Sequence, residues 1–479
     1  MPVSTTANLQ AKLLSECLTR ASVVSGSFTK ASSFPYPASV VFDWHTRLGA
    51  FDRLNPPWRP VTVLQASGGI QDGAQVTIKL PVLGPLGIHW KLRHCDYKAG
   101  ERFTDEQVRG PFKSWRHVHR VLPENENSST LRDEVHYSLP GIAAPFKTLF
   151  MRELERLFSY RHAVLSQDLA CHSRWFDQPR LSILISGSSG LVGNALASFL
   201  TTAGHSVIRL VRRTPTALDQ RAWDPERGEL SASVFNGIDA VIHVGGENIS
   251  SGRWNEAKKK RIRDSRVAST QLLCDTIAKL PNPPKVAIMA SAIGYYGDTG
   301  TVEVDESSPA GSGFFADTCR AWEAASRVLH SSGTRLVTLR IGTVLSTRGG
   351  ALKKMLPAFL AGVGGPLGTG SQFMTWISLQ DTLGIFEHAL HSQTLRGAVN
   401  VVSPHPVANR EFTTMLGRVI KRPTGLPMSA GMLRILFGEL ADAALLASTR
   451  VLPTALQRDG YAFCYPSLEQ CLRFECGKF

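Results

Sequence analysis

The chain has 479 residues, beyond the ~100–200 that one compact domain usually holds, so two or three domains are expected. Hydrophobic residues at 43% and charged residues at 19% exclude wholesale disorder, and Arg434, Glu439 and Asp442 break the best candidate for a run of ~18 apolar residues, which excludes an integral membrane protein. The net charge of +14 is spread out, with six excess basic groups in residues 1–180 and eight in 181–479, so no basic tail singles out nucleic acid as a partner.

The leading residues set Glu16 against Lys12, Arg20 and Lys30 among many serines and threonines. Residues 1–29 therefore read either as a disordered start or as an organelle targeting segment. The expected compartment is cytoplasmic, with a mitochondrial or plastid matrix as the alternative. Eight cysteines without a CxxC pair are expected to be free thiols in a reducing compartment.

Residues 30–171 predict a domain of antiparallel strands followed by one helix. Val76, Ile78 and Leu80 alternate with polar residues, and Ile88, Trp90 and Leu92 repeat the pattern after a Gly84-Pro85 turn. Leu131, Val135 and Tyr137 face away from Arg132, Glu134 and His136. Phe146, Leu149, Phe150, Leu154, Leu157, Phe158 and Leu165 then recur at helical spacing, which predicts a long amphipathic helix across a curved sheet. His117 and His119 share one strand face, but two histidines lack the third and fourth ligands of a metal site. They are read as cavity lining or surface, and no metal is expected.

The runs FDRLNPPWRPV, GIQDG, GPFKSWRHVH and FSYRH in this stretch resemble the START-like, polyketide-cyclase-type domains. That resemblance implies a helix-grip fold with a cavity for a small-molecule or hydrophobic ligand.

Residues 172–180 read as a linker. Beyond it, short apolar strands alternate with helices: strand 183–185, helix 191–203, strand 207–211, strand 239–244, helix 256–279, strand 285–291, helix 322–331 and strand 335–341. This order predicts an α/β Rossmann domain, a doubly wound parallel sheet, over 181–400, with residues 401–479 covering its substrate side.

The first of these strands runs into Gly187-Ser188-Ser189-Gly190-Leu191-Val192-Gly193. Glycines at this spacing give a tight turn, close approach to a pyrophosphate and close helix–strand packing, and the helix N-terminus favours the anion. Where an acid would hold the ribose 2′-hydroxyl of NAD, the chain has Arg212-Arg213. Two guanidiniums suit a 2′-phosphate, so NADP is expected ahead of NAD unless the arginines are merely solvated. The run Lys258–Arg263 predicts a solvated helix, with RNA or an anionic membrane as the alternative partner.

The GxxGxxG loop resembles extended and atypical short-chain dehydrogenases/reductases. More specific are His243 to Ile249 (with Gly245, Gly246 and Glu247), Arg253-Trp254, Ser291 to Gly297, Gly313 to Ala316, Trp322-Glu323, Gly438 to Leu440, Ser448 to Pro453 and Gly460 to Phe463. They resemble the epimerase-family atypical members with a DUF1731-type C-terminal segment, including versions with a cyclase-like domain in front. The resemblance implies a nicotinamide cofactor contacted by the glycine loop and by Gly245, Gly246, Glu247 and Ser291. It also implies an oxidoreductase or epimerase, with a non-catalytic assembly factor or complex subunit as the alternative.

A typical member uses Tyr with Lys four residues on, and a Ser or Thr that polarises the substrate oxygen. No tyrosine of this chain has Lys at that spacing, and the expected location holds Phe315 and Cys319. Ser291, Tyr295 and Tyr296 are the remaining catalytic candidates. A one-residue shift would put Ala292 in the Ser slot, and the tyrosines have packing on the cofactor as their other reading. Glu247 is read either as an acid or as a cap for the amides of 249–252.

Overall fold

A computed structural model describes residues 23–83, 86–249, 251–252 and 254–479. Most of the leading segment, the Gly84-Pro85 turn and Arg253 lie outside the described residues. The chain divides into two compact units, one ending at Ser166 and one beginning at Gln167.

The first unit is a seven-stranded antiparallel sheet of β1 (Val24–Phe34), β2 (Thr62–Ala66), β3 (Gln75–Leu83), β4 (Leu86–Lys98), β5 (Arg102–Arg109), β6 (Ser114–Asn125) and β7 (Ser128–Leu139). The spatial order is β1-β7-β6-β5-β4-β3-β2. β1 starts at Val24, inside the segment expected to lead the fold, because β7 offers it a full-length partner from Val24↔Leu139 to Phe34↔Ser129. Its Ser- and Gly-rich sequence hid the alternation, which burial makes plain: Phe28 and Phe34 are buried between exposed neighbours.

The predicted helix spans Lys147–His172, running on into the expected linker. Leu154 and Phe158 from its first half join Val135, Tyr137, Phe28 and Trp115 in one apolar core. Each such side chain, fully buried, contributes ~1.5–3 kcal/mol.

The second unit holds a seven-stranded parallel sheet of β8 (Ser182–Ser186), β9 (Ser206–Val211), β10 (Gln220–Ala222), β11 (Ala240–His243), β12 (Val286–Ala292), β13 (Arg335–Ile341) and β14 (Gly397–Val401). Its order is β10-β9-β8-β11-β12-β13-β14. Ile183, Ile185, Ile242 and Ile288 pack on one face with the helices Leu191–Thr202 and Leu379–His391. Leu184, Val241, Ala287 and Met289 pack on the other with Leu273, Cys274 and Ile277 of the helix Glu256–Ala278. Period-two strands covered on both faces make the doubly wound architecture.

One predicted helix is displaced. Instead of 322–331, the α-helix is Phe314–Ala324, and Arg327–Ser331 forms a tighter 3₁₀ turn. Ala316, Cys319 and Trp322 supply its buried stripe, while the Ser326 hydroxyl donates to Glu323 O at 2.8 Å, competing with the ladder where the α-helix ends. Among the described residues no helix is long and apolar enough to cross a membrane.

Candidate functional site

The strand order reverses between β9-β8 and β8-β11, so the loops after β8 and β11 diverge around a crevice at the carboxyl ends of the strands. Gly187 takes φ +76°, and a Cβ there would stand 2.6 Å from Gly245 N. A Cβ on Gly193 would stand 2.3 Å from Gly187 O. The loop closes on itself through Gly190 N–H donating to Gly187 O at 3.0 Å. The helix Leu191–Thr202 starts at Gly190 with no side-chain cap, leaving its first amides for a ligand. Ser189 and Gly190 are exposed, Ser188 is buried, and Leu191 and Val192 pack toward the sheet core. These residues fit a dinucleotide: a tight glycine turn packed too closely for side chains at Gly187 and Gly193, leading into uncapped amides.

Arg212 and Arg213 directly follow β9, beside β8, and both are exposed. Among the described residues the Arg212 guanidinium has a loose ion pair with Glu226, at 3.9 Å between exposed side chains. Gly245 and Gly246 line the crevice opposite Gly187, with Gly246 against the Arg266 side chain. His243, fully buried, bonds the Ser186 hydroxyl and reaches Ser269 Oγ at 3.1 Å, tying the ends of β8 and β11 to the helix Glu256–Ala278. Burial, with Arg266 nearby, lowers its pKa to about 4, so the imidazole is neutral.

Glu247 corrects one expectation. Among the described residues its carboxylate neither caps the following amides nor stands free as an acid. It pairs with Lys258, whose ammonium also donates to Ser251 Oγ at 2.9 Å. The Lys258 bond lowers the Glu247 pKa, favouring the ionised form, which has no proton to give. Lys258 itself is buried, so the basic run is not uniformly solvated; Lys259 pairs with Glu256 and Glu439, and Lys260 with Asp264. Only Arg261 and Arg263 of that run are exposed and outside these pairs.

Ser291 sits near the end of β12, and Tyr295 and Tyr296 lie on the 3₁₀ turn after it. The Ser291 hydroxyl donates to Glu323 Oε1 at 2.7 Å. The same carboxylate takes a bidentate pair from Arg340, Nε and Nη2 each at 2.9 Å. Arg340 Nη1 donates to the Tyr296 hydroxyl at 2.9 Å, which donates to Asn400 Oδ1 at 2.8 Å. Burial pushes the Tyr296 phenol up to about 12, a poor match to proton transfer near neutrality. Tyr295 is half-buried with its ring 3.5 Å beneath the Arg340 guanidinium, and no hydrogen bond among the described residues engages its hydroxyl.

Phe315 and Cys319 lie one helical turn apart against this turn of chain: a Cβ on Gly294 would stand 3.0 Å from Phe315 Cβ and 3.9 Å from Cys319 Sγ. Burial raises the Cys319 thiol to about 11, so it does not replace a lysine. Glu323, Arg340 and Asn400 escaped the sequence reading as site residues, although Trp322-Glu323 belonged to one of its motifs.

Residues 183–451, more than half of the chain, match the family model described as NAD dependent epimerase/dehydratase family. The chain belongs to that family. Within this epimerase/dehydratase-family chain, residues 34–158 match the model for polyketide cyclase / dehydrase and lipid transport, and residues 428–475 match a domain of unknown function, DUF1731. An epimerase family protein of Mycobacterium bovis is 42% identical over 61% of this chain and 96% of its own length. A solved nucleoside-diphosphate sugar epimerase from Corynebacterium glutamicum is 32% identical, with a TM-score of 0.77 over 94% of this chain and 90% of that one. The human epimerase family protein SDR39U1 (isoform 2), solved with NADPH, is 35% identical, with a TM-score of 0.58 over 62% of this chain and 100% of that one.

The first unit of this family member has its own cavity, about 640 Å³, between sheet and helix. Leu92, Trp115, Leu154 and Leu157 contribute its apolar wall. On its floor the register sets Asp105 of β5 between His94 of β4 and His117 of β6, and His119 of β6 opposite Asp133 of β7. Burial works to raise the Asp133 pKa, but His119, His117 and His162 overcome it and hold the carboxyl well below its usual range. Burial works to lower the His119 pKa, yet Asp133 and Asp105 raise it to about 9.

Proposed function

We propose that the chain is an NADP(H)-dependent oxidoreductase or epimerase acting on a small or hydrophobic substrate, with Tyr295 moving the proton that a Tyr-x-x-x-Lys pair moves elsewhere. The observation that carries this reading is the tight turn of Gly187 and Gly193, packed too closely for side chains, leading into an uncapped helix N-terminus. The dinucleotide, when bound, supplies or accepts a hydride. Gly187 to Gly193, with Gly245 and Gly246, hold its pyrophosphate. Arg212 and Arg213 hold a 2′-phosphate, a choice supported by the human relative solved with NADPH. Ser291, whose proton is given to Glu323, orients that carboxylate rather than polarising substrate. Tyr295 is the one catalytic candidate whose hydroxyl is left for substrate.

A second reading, cofactor binding without turnover in an assembly factor or complex subunit, is favoured by the Glu323–Arg340–Tyr296–Asn400 network, which engages the hydroxyls of both Ser291 and Tyr296.

Nucleotide and apolar small molecules that co-purify with the full chain are identified by mass spectrometry, and deuteride transfer from labelled NADPH to the extracted compounds is followed. Transfer slowed ~10²–10⁴-fold in Tyr295→Phe supports the enzyme reading. No transfer to any extract and no epimerisation of any extracted compound, with nucleotide tightly bound, supports the second. In parallel, Arg212→Ala weakens NADP about tenfold and leaves NAD unchanged; equal affinities unaltered by the change rule out the phosphate role.

A further inference from the structure

The floor of the first unit's cavity carries chemistry that the dinucleotide cleft does not use. Asp105, His117 and His119 each offer one donor atom, and the three atoms lie within 4.8 Å of one another. Asp105 Oδ2 is 3.6 Å from His117 Nδ1 and 3.5 Å from His119 Nε2. Those separations are long for hydrogen bonds. They suit two ligands of one ion, since donors ~2.1 Å from a metal at a tetrahedral angle stand ~3.4 Å apart.

The far side of each imidazole faces a carboxylate, as it does in metal-bound histidines. His117 Nε2 is 3.0 Å, and His119 Nδ1 2.7 Å, from the same oxygen, Asp133 Oδ1. A carboxylate behind a histidine sets the ring's tautomer and turns its other nitrogen toward the metal. Asp133 is itself anchored: its other oxygen is 2.7 Å from His162 Nε2, and His162 Nδ1 is 2.8 Å from Ser32 Oγ.

The polar atoms of this floor are imperfectly satisfied by one another. His119 is 6% exposed, and its Nδ1, 2.7 Å from Asp133 Oδ1, is buried without a well-directed hydrogen bond, as are Asp105 Oδ1 and His94 Nδ1, which stand 2.6 Å apart. A self-sufficient buried network is expected to align such bonds, because each misdirected polar atom costs ~1–3 kcal/mol.

We propose that Asp105, His117 and His119 bind a divalent transition-metal cation, with Asp133 as the carboxylate that positions both histidines. Two imidazoles and one carboxylate select zinc, iron(II) or cobalt(II) over calcium or magnesium. Three protein ligands leave coordination positions open toward the cavity, where an apolar molecule bearing a carbonyl, carboxylate or hydroxyl oxygen would complete the shell. The metal then anchors the polar end of the ligand while the apolar wall takes its body. This site stands independently of the dinucleotide reading.

The test uses the full chain, stripped with a chelator and titrated with cobalt(II). Expected are one equivalent per chain retained through gel filtration and ligand-field absorption in the visible range, both displaced by zinc. Asp105→Asn and His119→Ala abolish the signal. Asp133→Asn, which touches no metal, weakens binding ~10–100-fold. Circular dichroism screens each variant for folding, and Asp105→Asn, isosteric and partly open to the cavity, serves if His119→Ala does not fold. Failure of the wild-type chain to retain cobalt or zinc overturns the proposal, as does retention unchanged in folded Asp105→Asn.

Discussion

The cleft of the second unit and the cavity floor of the first handle charge in opposite ways. The cleft is built mainly from backbone: two glycines without room for a side chain, uncapped amides, and exposed Arg212 and Arg213 that cost little to keep charged. The floor is built from buried side chains, with Asp133 at 2%, His117 at 2% and His119 at 6% exposure, which lean on one another and on Asp105 and His162. A backbone-built site is therefore sensitive to added volume and a side-chain-built site to removed charge.

The largest effect that comparison predicts is at Asp133. Asp133→Ala leaves the imidazoles of His117, His119 and His162 without the carboxylate they converge on, and breaking a buried charge set costs about 3–5 kcal/mol. Urea unfolding of the full chain, read by tryptophans of the first unit, measures it. A loss below about 1 kcal/mol would mean that the floor is hydrated and its charges are screened.

Next are the glycines. Gly193→Ala drives a methyl into Gly187 O, a backbone atom that cannot swing aside, and Gly187→Ala adds a strained φ to a clash with Gly245. Each costs about 1–3 kcal/mol. Nucleotide binding, read by fluorescence titration with NADPH, falls with them. Gly190→Ala is the internal control: φ is −75° and the nearest atom is Gly187 O at 3.4 Å, so the change stays under about 1 kcal/mol. Equal loss of stability at all three positions would contradict the packing of the loop.

The same contrast explains how much of each site is legible in the sequence. The glycine loop is contiguous, so strand, loop and helix N-terminus were all visible in one stretch from Ile183 to Leu200. The cavity floor joins four strands and a helix, and Asp105 meets His117 only through register. One signal was present: Asp133 falls on the apolar side of the Leu131, Val135, Tyr137 alternation, an acid where none belongs without partners. Glu323 and Arg340 were hidden for a related reason, since their pairing joins a displaced helix to β13. The absence of the Tyr/Lys pair was legible from composition and spacing alone. Which hydroxyls of Ser291, Tyr295 and Tyr296 are engaged in hydrogen bonds depended on side chains brought together from four separate segments.

The smallest effect distinguishes the two regions by pH. His243 lies under the cleft, neutral, with a folded-state pKa of about 4 against about 6.5 when unfolded. Below pH 6.5 the unfolded chain takes up a proton that the folded chain refuses, so this contribution to stability is present at neutral pH and is lost as pH falls from 6.5 toward 4. Between pH 7 and pH 5 the loss is about 2 kcal/mol. His243→Gln removes the titration along with the bonds to Ser186 and Ser269, so the variant is less stable at pH 7 and the gap to wild type narrows by that amount at pH 5. Urea unfolding of the full chain at the two pH values, followed by circular dichroism, measures the gap. If it stays constant, His243 titrates normally in the folded state, and the end of β11 is open to water rather than sealed beneath the loop.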